Sequence, residues 1–208
     1  MKVKNKFWLT VCFFALFSFS KAQGHVHFIV FGGFNTSRLI TDFDNAKTIA
    51  EEAKKFYNFG VALRFEFAKI LYIQPEFYLA RKGGLEKAFR PNNFDSINQR
   101  VDAQSVDLQV MFGFRFFDCN RFALRVYTGP VLSFLNNTRV DVQKNGFNWP
   151  ISTVNTHVFS ARIGAGLDIT KCLTFDVSYE YAISPMFSVL DFKTSYRILN
   201  FSLGLKIF

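Results

Sequence analysis

From about residue 27 onward, large apolar side chains alternate with small or polar ones, and this period of two constrains the fold more than any single motif. Between 58 and 67, Phe59, Val61, Leu63, Phe65 and Phe67 occupy the odd positions, while Asn58, Gly60, Ala62, Arg64 and Glu66 fill the even ones. Between 106 and 116 the apolar set moves to the even positions, with Val106, Leu108, Val110, Phe112, Phe114 and Phe116. Leu173, Phe175, Val177, Tyr179 and Tyr181 repeat the pattern, as do Leu199, Phe201, Leu203, Leu205 and Ile207. Strict alternation places one set on each face of a strand. Runs of about nine to eleven residues are what a tilted strand needs to cross a bilayer.

Eight such runs are expected, at 27–37, 56–68, 71–81, 104–117, 122–134, 157–169, 173–182 and 195–208. Their connections alternate in length: 68–70, 118–121 and 170–172 read as tight turns, whereas 38–55, 82–103, 135–156 and 183–194 read as long loops. That asymmetry predicts an all-β, eight-stranded antiparallel transmembrane barrel of the outer-membrane type, with short turns and both termini on the periplasmic side.

The two faces distinguish a membrane barrel from a secreted one. In a lipocalin-like ligand carrier the apolar side chains would point inward and the other face would meet water. That other face carries Gly60, Ala62, Gly113, Gly164, Gly166 and Gly204. Small residues suit the crowded inside of a narrow barrel and serve no purpose on a solvated exterior. The chain also has 29 phenylalanines, more apolar surface than one soluble core of this length would bury, but well suited to lipid.

With lipid outside, the interior would hold Arg64, Arg115, Arg125, Arg162 and Lys206 against Glu66, Glu76, Asp107, Asp168, Asp176 and Glu180. Buried charges persist when they are paired and hydrogen-bonded. The expectation is therefore a packed polar network that fills the lumen, not a water-filled pore, which usually needs more strands.

Lys2, Lys4 and Lys6, an apolar stretch from 7 to 19 and small residues at Ser20 and Ala22 read as a secretory signal peptide, 1–22, ahead of a barrel domain at 23–208. Without the four lysines of that segment the charge falls from +9 to +5. The remaining basic residues are scattered, which argues against nucleic acid. Ala46, Ile49, Ala50 and Ala53 recur with helical spacing, so loop 38–55 is expected to hold a short helix, and loop 82–103 is read as mobile. Cys119 and Cys172 fall in predicted turns at one rim, which makes them a candidate disulfide in the oxidising periplasm. His25, His27 and His157 lack a third ligand in their own segments, so no metal site or cofactor is expected. No nucleophile with its base is recognisable, so no catalytic residue is assigned.

Ile73-Gln74-Pro75-Glu76-Phe77-Tyr78-Leu79-Ala80-Arg81-Lys82-Gly83-Gly84 resembles a strand of the PorT-like outer-membrane β-barrel family of Bacteroidetes. Thr128-Gly129-Pro130 and Gly164-Ala165-Gly166-Leu167 are similar to two further strands of that family. The resemblance implies an eight-stranded barrel of the OmpA-membrane-domain type, and the namesake is linked to type IX secretion. One departure stands out: Phe208 is terminal but one residue out of step with Leu203, Leu205 and Ile207. Either a bulge shifts the register there, or Ile207 packs and Phe208 overhangs.

The expected role is structural or interactive, through the extracellular loops of a monomer that meets outer-membrane lipid and other envelope proteins. A lipid-modifying barrel enzyme and a small-solute or lipid conduit are the alternatives.

Overall fold

The computed structural model describes residues 26–42, 47–67, 70–90, 95–119, 122–144, 147–148, 153–170, 172–189 and 192–207. Residues 1–25, which include the predicted signal peptide and His25, lie outside this set, as does Phe208. The strands in chain order are β1 (Val26–Asp42), β2 (Lys47–Glu66), β3 (Leu71–Arg90), β4 (Asp95–Cys119), β5 (Phe122–Lys144), β6 (Phe147–Asn148), β7 (Thr153–Val154), β8 (His157–Ile169), β9 (Leu173–Ala182), β10 (Phe187–Val189) and β11 (Phe192–Lys206). β1, β2, β3, β4, β5, β8, β9 and β11 pair antiparallel in that order, and β1 closes on β11 from Ile29↔Lys206 to Asp42↔Lys193. The result is a closed eight-stranded barrel. β6 pairs with β5, while β7 and β10 pair with each other and, through β10, with β11.

The faces separate as the alternation requires. Phe59, Phe112 and Leu203 are each at least half exposed on the outer wall, whereas Arg64, Asp107 and Glu180 have no exposed surface. A ligand carrier with an apolar lumen would have the opposite arrangement.

Several expectations are corrected. The predicted helix in 38–55 is replaced by strand from Lys47 onward, with Lys47–Ala53 paired to Gly84–Phe89. Helix propensity is a weak prior, and here a neighbouring strand satisfies the same backbone groups. Of the mobile loop expected at 82–103, residues 91–94 lie outside the described residues, and 82–90 and 95–103 are instead the ends of β3 and β4, registered without interruption from Leu71↔Phe114 to Arg90↔Asp95. Likewise β5 runs to Lys144, past the expected end at 134. At 25 residues β4 is far longer than the roughly 10 residues that span a bilayer, so the loop end of the barrel stands clear of the lipid-facing belt. A bulge bends β5 there: Asn137 and Thr138 oppose Ala103 alone, and Asn137 takes a left-handed φ of 48°.

The candidate disulfide is also corrected: Cys119 and Cys172 are both free and exposed. Cys119 ends β4, opposite Phe122 of β5, and Cys172 precedes β9, beyond β8. Two intervening strands at about 4.8 Å spacing keep the pair beyond the roughly 7 Å Cα limit for a disulfide. At the C-terminal end the β1–β11 register is unbroken through Lys206, with no bulge in that pairing, which leaves Ile207 on the outer face.

Inward glycines make the narrow lumen possible. Each lies in register with a bulky neighbour: Gly113 with Tyr72, Gly60 with Tyr78, Gly164 with Tyr127, Gly204 with Phe31 and Gly166 with Arg125. A Cβ on Gly164 would lie 2.5 Å from the Tyr127 ring. The large side chain lies flat across the space its partner leaves open. Gly164→Ala should therefore cost about 1–3 kcal/mol in urea unfolding of the folded barrel. In a Tyr127→Ala background the same change should cost much less, and equal costs in both backgrounds would refute the pairing.

Candidate functional site: the barrel interior and its mouth

The interior is layered from the short-turn end to the loop end. Nearest the short turns, Asp168 of β8 is a hub. Its carboxylate accepts from Arg64 of β2 at 3.0 Å and from Arg125 of β5 at 3.1 Å, and pairs with Lys206 of β11 at 2.8 Å. Arg125 also donates to Asp176 at 2.6 Å and to the Tyr72 hydroxyl at 3.2 Å. Arg115 pairs with Glu66, which also lies 3.6 Å from His27.

Above this hub, neutral amides link the strands. Arg64 Nε donates to Gln74, Gln74 donates to Glu76, and Gln109 donates to the other Glu76 oxygen at 2.7 Å. Glu76 thus stands between two amide donors. The next layer centres on Lys82 of β3, whose Nζ lies 2.9 Å from Asp107 and 2.8 Å from Glu180. It also donates to Ser133 and to the Tyr196 hydroxyl. Arg162 pairs with the second oxygen of Glu180.

All eleven charges assigned from sequence point inward, distributed between the Asp168 hub, the Glu76 layer and the Lys82 layer. Lys82 falls within the loop expected at 82–103. It is nevertheless in phase with Tyr72, Gln74, Glu76, Tyr78 and Ala80, so extending the alternation past Arg81 would have found it; Gly83 and Gly84 disguised the strand. With Lys82, the network among the described residues sets six cations against six carboxylates. Tyr196 and Gln74 were also missed, because a tyrosine or glutamine on an alternating face carries no signal of its own.

The loop end is capped by apolar packing. Leu39, Val101, Ala103, Leu135, Val158, Ala182 and Ile198 line the inner wall there, and Met186 and Phe187 pack fully buried among them. Residues 183–189 enter the mouth through short pairings of β10 with β7 and β11. The Met186 and Asn155 amides bond to the Thr194 and Met186 carbonyls.

A charge-neutral, ion-paired lumen under an apolar cap can hold strands together and can block water. Among the described residues no group of three His, Cys, Asp or Glu side chains is placed to hold a metal ion. The exposed His157 ring bonds the Thr156 hydroxyl at 2.8 Å and packs edge-on against Phe134.

A profile for the outer membrane protein beta-barrel domain matches residues 19–188 of the chain. The chain belongs to this family. Its membership places this barrel in the outer membrane, where the Phe-rich face meets lipid. No curated protein matches it in sequence. Among solved structures it is similar to OprG from Pseudomonas aeruginosa, at 11% identity over 87% of this chain and 95% of that one, with a TM-score of 0.51. It is also similar to the Neisserial surface protein NspA, at 14% identity, 86% and 97% coverage and a TM-score of 0.48. Ail of Yersinia pestis follows at 14% identity, 88% and 99% coverage and a TM-score of 0.45. At these identities the similarity concerns the fold alone.

The hub makes the interior testable. Asp168→Asn removes a carboxylate that lies within 4.0 Å of Arg64, Arg115, Arg125 and Lys206, and should destabilise the folded barrel by about 3–5 kcal/mol in urea titration. Asp118→Asn, at the exposed rim beside Arg115, should change stability by no more than about 0.5 kcal/mol. Similar effects for both would show that the interior pairs do not hold the barrel.

Proposed function

We propose that this barrel is an exported structural or interaction protein, anchored in the outer membrane by its lipid-facing belt, that meets envelope partners through the strand extensions at its loop end. The closed lumen carries the reading: an ion-paired interior under Met186 and Phe187 favours a surface role over passage of solutes. In this reading 1–22 is a signal peptide, the short turns and termini are periplasmic, and the protein is monomeric and not an enzyme. Steady conductance in planar bilayers would contradict it, and a closed trace is expected.

Orientation has its own test. Cys119 and Cys172 sit exposed at the short-turn end, whereas Asn137 is exposed at the loop end. A membrane-impermeant maleimide should leave intact wild-type cells unlabelled, label Asn137→Cys cells, and reach the native cysteines only after the outer membrane is permeabilised. Labelling of the native cysteines in intact cells would invert the barrel.

A narrower reading, a part in type IX cargo secretion, draws on the resemblance of residues 73–84 to the PorT-like family. Normal cargo secretion in a deletion strain would remove it.

A further inference from the structure

Two neighbouring hollows open on the outer wall just above the lipid-facing belt, and they share Arg81 and Gln104. One, of about 290 Å³, lies against Tyr57, Leu79 and Asn136. The other, of about 590 Å³, reaches Asp102, Asn137 and Arg139. Together they form a cleft that crosses β3 and β4 from β2 to β5. A break in the barrel ladder flanks it on each side. β2 and β3 leave register between Phe59↔Leu79 and Ala53↔Gly84. There the Arg81 carbonyl accepts from Asn35 and the Gly83 amide donates to Ser37, both side chains of β1. On the far side sits the β5 bulge at Asn137 and Thr138. It reverses the alternation, so Asn136, Asn137 and Arg139 are all exposed while Val140 packs against the inner apolar cluster. Between the two breaks the β3–β4 register is continuous and gives the cleft a firm floor.

The lining selects among ligands. The bonds from Asn35 and Ser37 occupy β3 backbone groups that an added peptide strand would use. Charge is mixed: Arg139 faces Asp102 in register, and just above them Arg100 faces Asp141, so the lining matches neither a polyanion nor a polycation. The remaining polar groups are amides, each with donors and an acceptor side by side. Asn137 Nδ2 already reaches Gln104 Oε1, at 3.5 Å, across the β4–β5 boundary. At the other end the Tyr57 side chain is 87% exposed, beside the apolar Leu79. A ring of this kind offers an apolar face with a polar tip. Convergent polar groups beside an apolar contact, in a hollow of several hundred Å³, are the usual make-up of a small-molecule site.

We propose that this cleft binds a neutral pyranose chain, with one sugar face against the Tyr57 ring and its hydroxyls bonded to Arg81, Gln104 and Asn137. A pyranose has C–H groups on its face and hydroxyls around its rim, which is the division the cleft presents. Each hydroxyl both donates and accepts, so adjacent hydroxyls match an amide at both of its ends, and a guanidinium can donate to two of their oxygens. No net charge is required of the ligand. The inference deepens the surface role proposed above, on which it rests, by naming the partner class at the loop end.

The test is biolayer interferometry of the barrel in phosphatidylcholine nanodiscs over immobilised maltohexaose, cellohexaose, mannohexaose and dextran sulfate. At least one neutral hexasaccharide should retain the wild type more strongly than dextran sulfate does. Tyr57→Ala and Gln104→Ala should each weaken that retention by about tenfold or more. Asn137→Gly, which keeps the left-handed turn and removes only the amide, should shift it in the same direction. Lys193→Gln on β11, four strands from β4 in either direction, should leave it unchanged. Digalactosyl diacylglycerol added to the nanodisc distinguishes the source of the sugar. Competition with the hexasaccharide identifies a neighbouring glycolipid, its absence a soluble glycan, and either supports the site. A mobility shift on boiling verifies that each variant is folded, and Gln104→Ala alone carries the test if the others are not. Retention by dextran sulfate alone, retention by none of the surfaces, indifference to the cleft substitutions, or equal loss in Lys193→Gln would each overturn the proposal. Nanodiscs expose both ends of the barrel, so failure here with a closed conductance trace refutes only the sugar site, whereas steady conductance refutes the surface role beneath it.

Discussion

Hydrocarbon offers no hydrogen bonds, so every peptide group that crosses it must find a partner in the chain itself. For strands the solution is a sheet without edges, and the β1–β11 pairing from Ile29↔Lys206 to Asp42↔Lys193 provides it. Closure with only eight strands sets the radius, and the radius sets the rest. The outer wall can be uniformly apolar, but the inner wall has room for few large side chains. That is why Gly60, Gly113, Gly164 and Gly204 each stand beside a ring from the next strand.

The same narrowness explains the choice of charged residues inside. A long Arg or Lys reaches across the lumen and meets acids from several strands at once. Asp168 gathers Arg64, Arg125 and Lys206 from three strands, and Lys82 joins β3 to Asp107 of β4 and Glu180 of β9. Taking such groups from water is costly, so the pairs are best understood as fixing a single packing of the barrel, with removal of one partner the damaging change. Towards the loop end the lining becomes apolar and Met186 and Phe187 fill the mouth. Polar filling below and apolar filling above together leave the lumen closed.

The membrane-spanning halves of the strands were legible in the sequence, and β8 and β9 occur at their expected limits. There, alternation is enforced on both faces, by lipid outside and crowding inside. Beyond the belt, water replaces lipid and the outer face loses its apolar requirement, so the pattern fades although the ladder continues. Residues 47–55 looked helical for this reason, and 82–103 looked like a loop. Lys82 fell on the wrong side of that boundary. The disulfide failed for another reason: both turns share a rim, but rim membership does not specify how many strands separate two positions. Met186 and Phe187 belong to a segment with no periodicity, and only the fold shows that they turn inward.

The central claim is that hydrocarbon, not water or a buried core, surrounds the Phe-rich face. Nitroxide labels at Phe112→Cys and at Leu203→Cys, in barrels reconstituted into lipid vesicles and lacking the native cysteines, test it through collision with oxygen and with a polar nickel chelate. Both labels should be strongly accessible to oxygen, which concentrates in the bilayer, and shielded from the chelate. High chelate accessibility, or protection from both reagents, would mean that these positions face water or a closed interior and would contradict the account.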